Sequence, residues 1–160
     1  MFAKFFKPKK RKSVVAEAGA ARQDQFEYWL IDMDGALARF LDGLPGELRA
    51  KLDFTPESFE ALEGWALSRY ASLAEARAPS EAATLDGASR YVGQVFRKSL
   101  GGRWFIDHRD PKNAFYGLPQ LEGLKGQVAQ ICPLTLVTAS LDRRTGTFIS
   151  TVYRNHLART

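Results

Sequence analysis

Sulfur and imidazole are scarce in this chain. Its 160 residues include one cysteine, Cys132, and two histidines, His108 and His156. A single thiol closes no intramolecular disulfide and builds no thiolate zinc site, and two imidazoles leave little material for a metal centre. No stretch approaches the roughly 18 consecutive apolar residues of a membrane span. No signal-peptide pattern opens the chain, and with one thiol this points to a reducing cytoplasm. Neither a cofactor, a metal ion nor a small-molecule substrate is expected. Internal repeats are missing as well.

What is present is ordinary for a globular domain: 45% apolar and 26% charged residues, with a length that favours one domain. The net charge of +5 is unevenly spread. Residues 1–13 hold Lys4, Lys7, Lys9, Lys10, Arg11 and Lys12 and no acid, giving +6. Residues 24–63 hold ten acids against Arg39, Arg49 and Lys51, giving −7, and residues 64–160 carry +6. The basic character therefore belongs mostly to a short arm and does not mark the body as a nucleic-acid binder. Phe2, Phe5 and Phe6 stand among the lysines of the arm before Pro8. That pattern suits contact with an anionic membrane surface, and Pro-Lys-Lys-Arg-Lys resembles a nuclear-import signal. The preferred reading is a disordered arm and linker over 1–23, followed by a folded domain over 24–160.

Within the domain, Phe26, Trp29, Leu30, Met33, Leu37, Phe40 and Leu41 recur at helical steps and predict one helix from Asp24 to Leu41. The run Asp42-Gly43-Leu44-Pro45-Gly46 ends it. Thr55 as N-cap and Pro56 at the first position start a second helix with Phe59, Leu62, Trp65, Ala66, Tyr70 and Leu73 as its buried stripe. Ser80 and Glu81 open a third, with Leu85, Ala88, Tyr91, Val92, Val95, Phe96 and Leu100 inward and Gly101-Gly102 as its stop. Strands are expected at Arg103–Ile106, Ala114–Leu118 and Gln127–Ile131. Helices are favoured over a hairpin for the segments beginning at Pro133 and at Phe148. The predicted architecture is α+β: N-terminal helices on a small antiparallel sheet, then C-terminal helices, in a single domain.

Four groupings bear on chemistry. Asp32-Met33-Asp34-Gly35 looks like the DxDG signature of haloacid-dehalogenase phosphatases, whose aspartates serve phosphoryl transfer beside magnesium. That chemistry needs the tip of a buried parallel strand, and here the residues sit amid a sustained helical stripe, so surface acids are the better account. Asp107, His108, Arg109, Asp110 and Lys112 crowd one predicted loop, where His108 would be the proton carrier of an acid/base site. The turn-forming Asp110-Pro111 explains that polarity without catalysis. Cys132 reads as a buried, inert thiol. Arg143-Arg144 reads as a solvated turn, and Trp29, Trp65 and Trp104 read as core.

Three segments carry a resemblance. They are Leu52–Glu63 with its Pro56-Glu57-Ser58, Tyr91–Trp104 with Gly101-Gly102-Arg103-Trp104, and Cys132-Pro133-Leu134 with Asp142–Gly146. Together they resemble small bacterial immunity-type proteins encoded beside polymorphic or contact-dependent growth-inhibition toxins. The resemblance implies a protein that neutralises a cognate toxin domain, such as a nuclease, by binding and occluding it, without being an enzyme. Acids of the two N-terminal helices should then project outward toward a cationic partner. Asp32, Asp34, Glu57, Glu60 and Glu63 are the candidate contacts, with Asp107, His108, Arg109 and Asp110 of the loop. The alternative is a small regulator that binds nucleic acid or anionic membrane through Lys4, Lys7, Lys9, Lys10, Arg11 and Lys12.

Overall fold

The computed structural model describes residues 7–159. Their elements follow the order α1 (Lys7–Ile31), α2 (Met33–Asp42), α3 (Gly46–Lys51), a 3-10 turn (Pro56–Ser58), α4 (Phe59–Arg69) and α5 (Leu73–Ala76). A second 3-10 turn (Pro79–Glu81) leads into α6 (Ala82–Leu100), β1 (Arg103–Phe105), β2 (Gln120–Glu122), α7 (Pro133–Arg143) and α8 (Phe148–Ala158). The chain is an α+β domain, mostly helical, with one two-stranded antiparallel sheet pairing Arg103 with Glu122, Trp104 with Leu121 and Phe105 with Gln120.

The central element is α6. Every residue from Gly87 to Val92 is buried, because α2 packs on one side of the helix and α7 on another. Two glycines make this possible. A methyl group at Gly87 would stand 2.5 Å from the Phe40 ring of α2, and one at Gly93 would stand 2.1 Å from Trp104 of β1. Each glycine is the socket for an aromatic ring of a neighbouring element. Phe59, Phe96 and Tyr153 meet ring to ring at centroid distances of 5.3 to 5.8 Å and join α4, α6 and α8 in one core. Arg144 closes the α7 end in a left-handed conformation and donates to the carbonyl of Leu67 at 3.0 Å.

Several local expectations change. The first helix begins at Lys7, where an arm and linker were expected through residue 23, and it breaks at Asp32, so one expected helix is two. Lys4, Phe2, Phe5 and Phe6 lie outside the described residues. Thr55 does not cap with its side chain; Asp53 instead accepts both the N–H and the hydroxyl of Thr55, at 3.1 and 2.6 Å. Helix α4 stops at Arg69, leaving Tyr70 extended but still buried. Ala114–Leu118 is a series of turns held by Asn113, whose side chain accepts the Phe115 N–H. Gln127–Ile131 contributes only one bridge, Ile131 to Leu121, and β2 forms at Gln120–Glu122 instead. Gly101 and Gly102 end α6 as expected, with φ of +73° and +86°.

Candidate functional site

Helix α1 supplies Arg22, Phe26 and Trp29 along one side, spaced so that they line a single wall. Opposite them stand Ile106, His108, Tyr116 and Pro119 from the segment between the strands, and the space between is about 430 Å³. Trp29 and Pro119 also line a second cleft of about 310 Å³, completed by Leu85, Trp104 and Leu134. The two clefts therefore adjoin as one aromatic groove between α1, α6 and the β1–β2 segment.

Trp29 is fixed from three directions. Its indole N–H donates to Asp86 at 2.8 Å, and its ring meets that of Trp104 edge-on at 4.9 Å. The Arg90 guanidinium lies 4.1 Å from the Trp29 ring centroid. Arg90 is 3% exposed and donates to Asp86 at 2.7 Å and to the Trp29 carbonyl at 2.7 Å. A buried guanidinium is tolerated because its donors meet a carboxylate and a carbonyl while its face meets an aromatic ring. At the far end, Arg22 donates to the Tyr116 hydroxyl at 3.1 Å. Both ring nitrogens of His108 are buried without a hydrogen-bond partner among the described residues, as is Oε1 of Gln120.

The residues singled out from the sequence are dispersed. Asp32 pairs with Arg39 at 2.5 Å and lines another cleft, of about 280 Å³, with Trp65 and Arg69. Asp34 is exposed in the first turn of α2. The Asp32–Gly35 run thus sits at a helix junction, not at a strand tip. Asp107 organises its own loop: it accepts from the N–H of Arg109 at 2.8 Å, that of Asp110 at 3.1 Å, and the Asn113 amide at 2.9 Å. Those bonds, with the Arg109 N–H first, hold its carboxyl below the usual range. Arg109 and Asp110 are exposed on the same loop, and His108 alone of the four lines the groove. Cys132 is buried, and its sulfur receives the Thr135 hydroxyl at 3.3 Å.

On the second acidic segment, Glu57 is exposed and Glu60 accepts the Ser150 hydroxyl at 3.1 Å. The expectation that all these acids project outward is corrected at Glu63. That residue is 1% exposed, and its carboxylate receives the N–H groups of Phe148 and Ile149 at the start of α8. Because α8 has no side-chain cap of its own, the buried acid satisfies orphan donors of that helix.

Sequence reasoning missed Arg22, Asp86, Arg90 and Tyr116. For Arg90 and Asp86 there was a signal, a charged pair four residues apart within a helix whose neighbours are apolar all round; for Arg22 and Tyr116 there was none. Among the described residues no three His, Cys, Asp or Glu side chains converge as a metal site, and no helix is long and apolar enough to cross a membrane. Comparison of the chain with protein-family models, with curated proteins and with solved structures finds no match.

Proposed function

We propose that this domain is a binding protein of the immunity type, which recognises a cationic toxin domain, covers it, and acts without turnover. On this reading it works in the cytoplasm of the cell it protects, and a nuclease is the toxin class whose charge suits it. The observation that carries the reading is the uncompensated charge on α2 through α4. Asp34, Glu47, Asp53, Glu57 and Glu60 are exposed there. Arg39 and Arg49 are engaged by Asp32 and Asp42, and Arg69 by Glu81, which leaves Lys51 as the other base in the stretch. Opposed potentials of this kind accelerate encounter with a basic partner and reject acidic ones.

The test is capture with the tagged full-length chain from its native cells. The expected result is a toxin domain bound in a 1:1 complex that loses its own activity when the chain is added. Replacing Asp34, Glu57 and Glu60 together with Lys should slow association about tenfold or more at low salt, with the difference shrinking at high salt. Recovery of no toxin domain, or of one whose activity the chain leaves intact, overturns the proposal.

A further inference from the structure

Helix α1 is 25 residues long, about 37 Å at 1.5 Å per residue. Among the described residues from 16 on, its last turns reach the body through buried Phe26 and half-buried Trp29 and Leu30. From residue 16 to 25 every side is exposed apart from half-buried Gly19, and the tie across to the body there is Arg22 to Tyr116. A helix owes most of its stability in water to tertiary packing, so this projecting stretch needs a partner to bury it.

Its charge order says which partner. The first turn holds no acid and the last turn no base, the reverse of what the helix dipole favours. Lys7, Lys9, Lys10, Arg11 and Lys12 open the helix, and Asp24 and Glu27 lie toward its end. The complement of such a helix is the same helix reversed. A seam is also present: Val14, Glu17, Ala21, Asp24, Tyr28 and Ile31 are all exposed and recur at alternating steps of three and four, the spacing by which two helices interlock. Within it Val14, Tyr28 and Ile31 are 61%, 72% and 79% exposed, unusually high for large apolar side chains. Between the charged ends, Ala16, Ala18, Gly19, Ala20 and Ala21 let two backbones approach closely.

We propose that two copies of this chain associate through α1 in antiparallel fashion, the basic first turns of each helix lying beside the acidic later turns of the other. The interface is isologous, so one two-fold axis forms both charged contacts. The proposal is independent of the toxin-binding reading.

Sedimentation equilibrium on the full chain at about 100 μM, well above a micromolar dissociation constant, should give twice the 17.9 kDa chain mass at low salt. The mass should fall toward one chain near 1 M salt, where screening acts over about 3 Å. The acid-block variant (Asp24→Lys with Glu27→Lys) and the base-block variant (Lys9→Glu, Lys10→Glu and Arg11→Glu) should each be monomeric, with the circular dichroism of the body retained. Mixed together, they should restore a dimer containing one of each. Tyr28→Ala with Ile31→Ser should weaken association at least tenfold without changing its salt dependence. A monomeric wild-type chain at low salt overturns the proposal, as does a dimer that survives both charge blocks. A monomer that binds anionic vesicles or DNA, and loses that binding in the base-block variant, overturns it in favour of an anionic surface as the partner of α1.

Discussion

The Glu63 carboxylate on α4 receives two successive backbone N–H groups, those of Phe148 and Ile149, at 3.0 and 2.9 Å. A side chain thereby caps a helix that begins 85 residues later. Removing it leaves two donors of a buried helix start without an acceptor. Glu63→Ala should cost about 3 kcal/mol, since unsatisfied buried donors lose their full desolvation penalty. For a chain of this size the melting temperature should fall roughly 6–12 °C. Glu63→Gln keeps the volume but points an amide donor at one of the N–H groups, and should lie between Ala and wild type. Thermal melts of the three proteins check the order, and an Ala variant within about 1 kcal/mol of wild type would contradict it.

Two glycines should respond with opposite signs. Gly93→Ala places a methyl 2.1 Å from Trp104 and 3.1 Å from Pro133, both in the core. Overpacking of that kind costs about 3 kcal/mol and should disturb the near-ultraviolet signal of Trp104. Gly64 lies inside α4 with nothing within 4 Å of a methyl at its Cα. Gly64→Ala should stabilise by up to about 1 kcal/mol through helix propensity alone. Urea unfolding of both variants makes the comparison.

Arg90 holds the junction of α1 and α2 to α6 through the Trp29 carbonyl, the Trp29 ring and the Met33 sulfur, while Asp86 of its own helix takes its Nε–H. An ammonium cannot fork between carboxylate and carbonyl while lying flat on an indole. Arg90→Lys should therefore cost about 2 kcal/mol despite conserving charge. Asp86→Asn can accept from only one of the two donors, the indole N–H or the Arg90 Nε–H, and takes the counter-charge from a buried guanidinium, so it should cost at least as much. Denaturant midpoints, with tryptophan emission as the second probe, test the ranking. Equal stability of Arg90→Lys and wild type would show that charge, not shape, is what the site requires.

The carboxyl of Asp107 is held below its ordinary value of 3.8 by the N–H of Arg109, the Asn113 amide and the N–H of Asp110. A depressed folded-state value adds stability that is present above the unfolded pKa and is lost as pH falls through the folded one. The wild-type chain should therefore lose part of its advantage over Asp107→Asn as pH drops below about 4, and keep that advantage at neutral pH. Unfolding midpoints of the two proteins from neutral to acidic pH check the sign. A gap that widens in acid contradicts the assignment.

Periodicity was a good guide where helices bury one stripe. Phe59 and Leu62 of α4 and Tyr91, Val95 and Phe96 of α6 all lie inside as their spacing predicts. It failed where side chains substitute for backbone order. Ala114–Leu118 carries Phe and Tyr side by side, residues that favour strands, yet Asn113 and Asp107 tie it into turns. It also failed at the start of the chain: alanines, lysines and one glycine support a helix without marking a buried face, so α1 left no stripe before Phe26. The groove was hidden for another reason. Trp29 meets Asp86 and Arg90 across 57 and 61 residues of chain, and Arg22 meets Tyr116 across 94, separations that no local pattern encodes. Glu63 shares its helical register with ordinary surface acids, and only its distant partners reveal it as buried.

The two strands are three residues each, and Ile131 bridges to Leu121 of β2. So short a ribbon, flanked on that side by another segment, gives an incoming chain very little main chain to hydrogen-bond. Growth by strand addition, the usual hazard of small sheets, finds almost no template here. If the domain binds a partner as proposed, the contacts fall to side chains projecting from its helices, where single substitutions would change the choice of partner without reorganising the backbone.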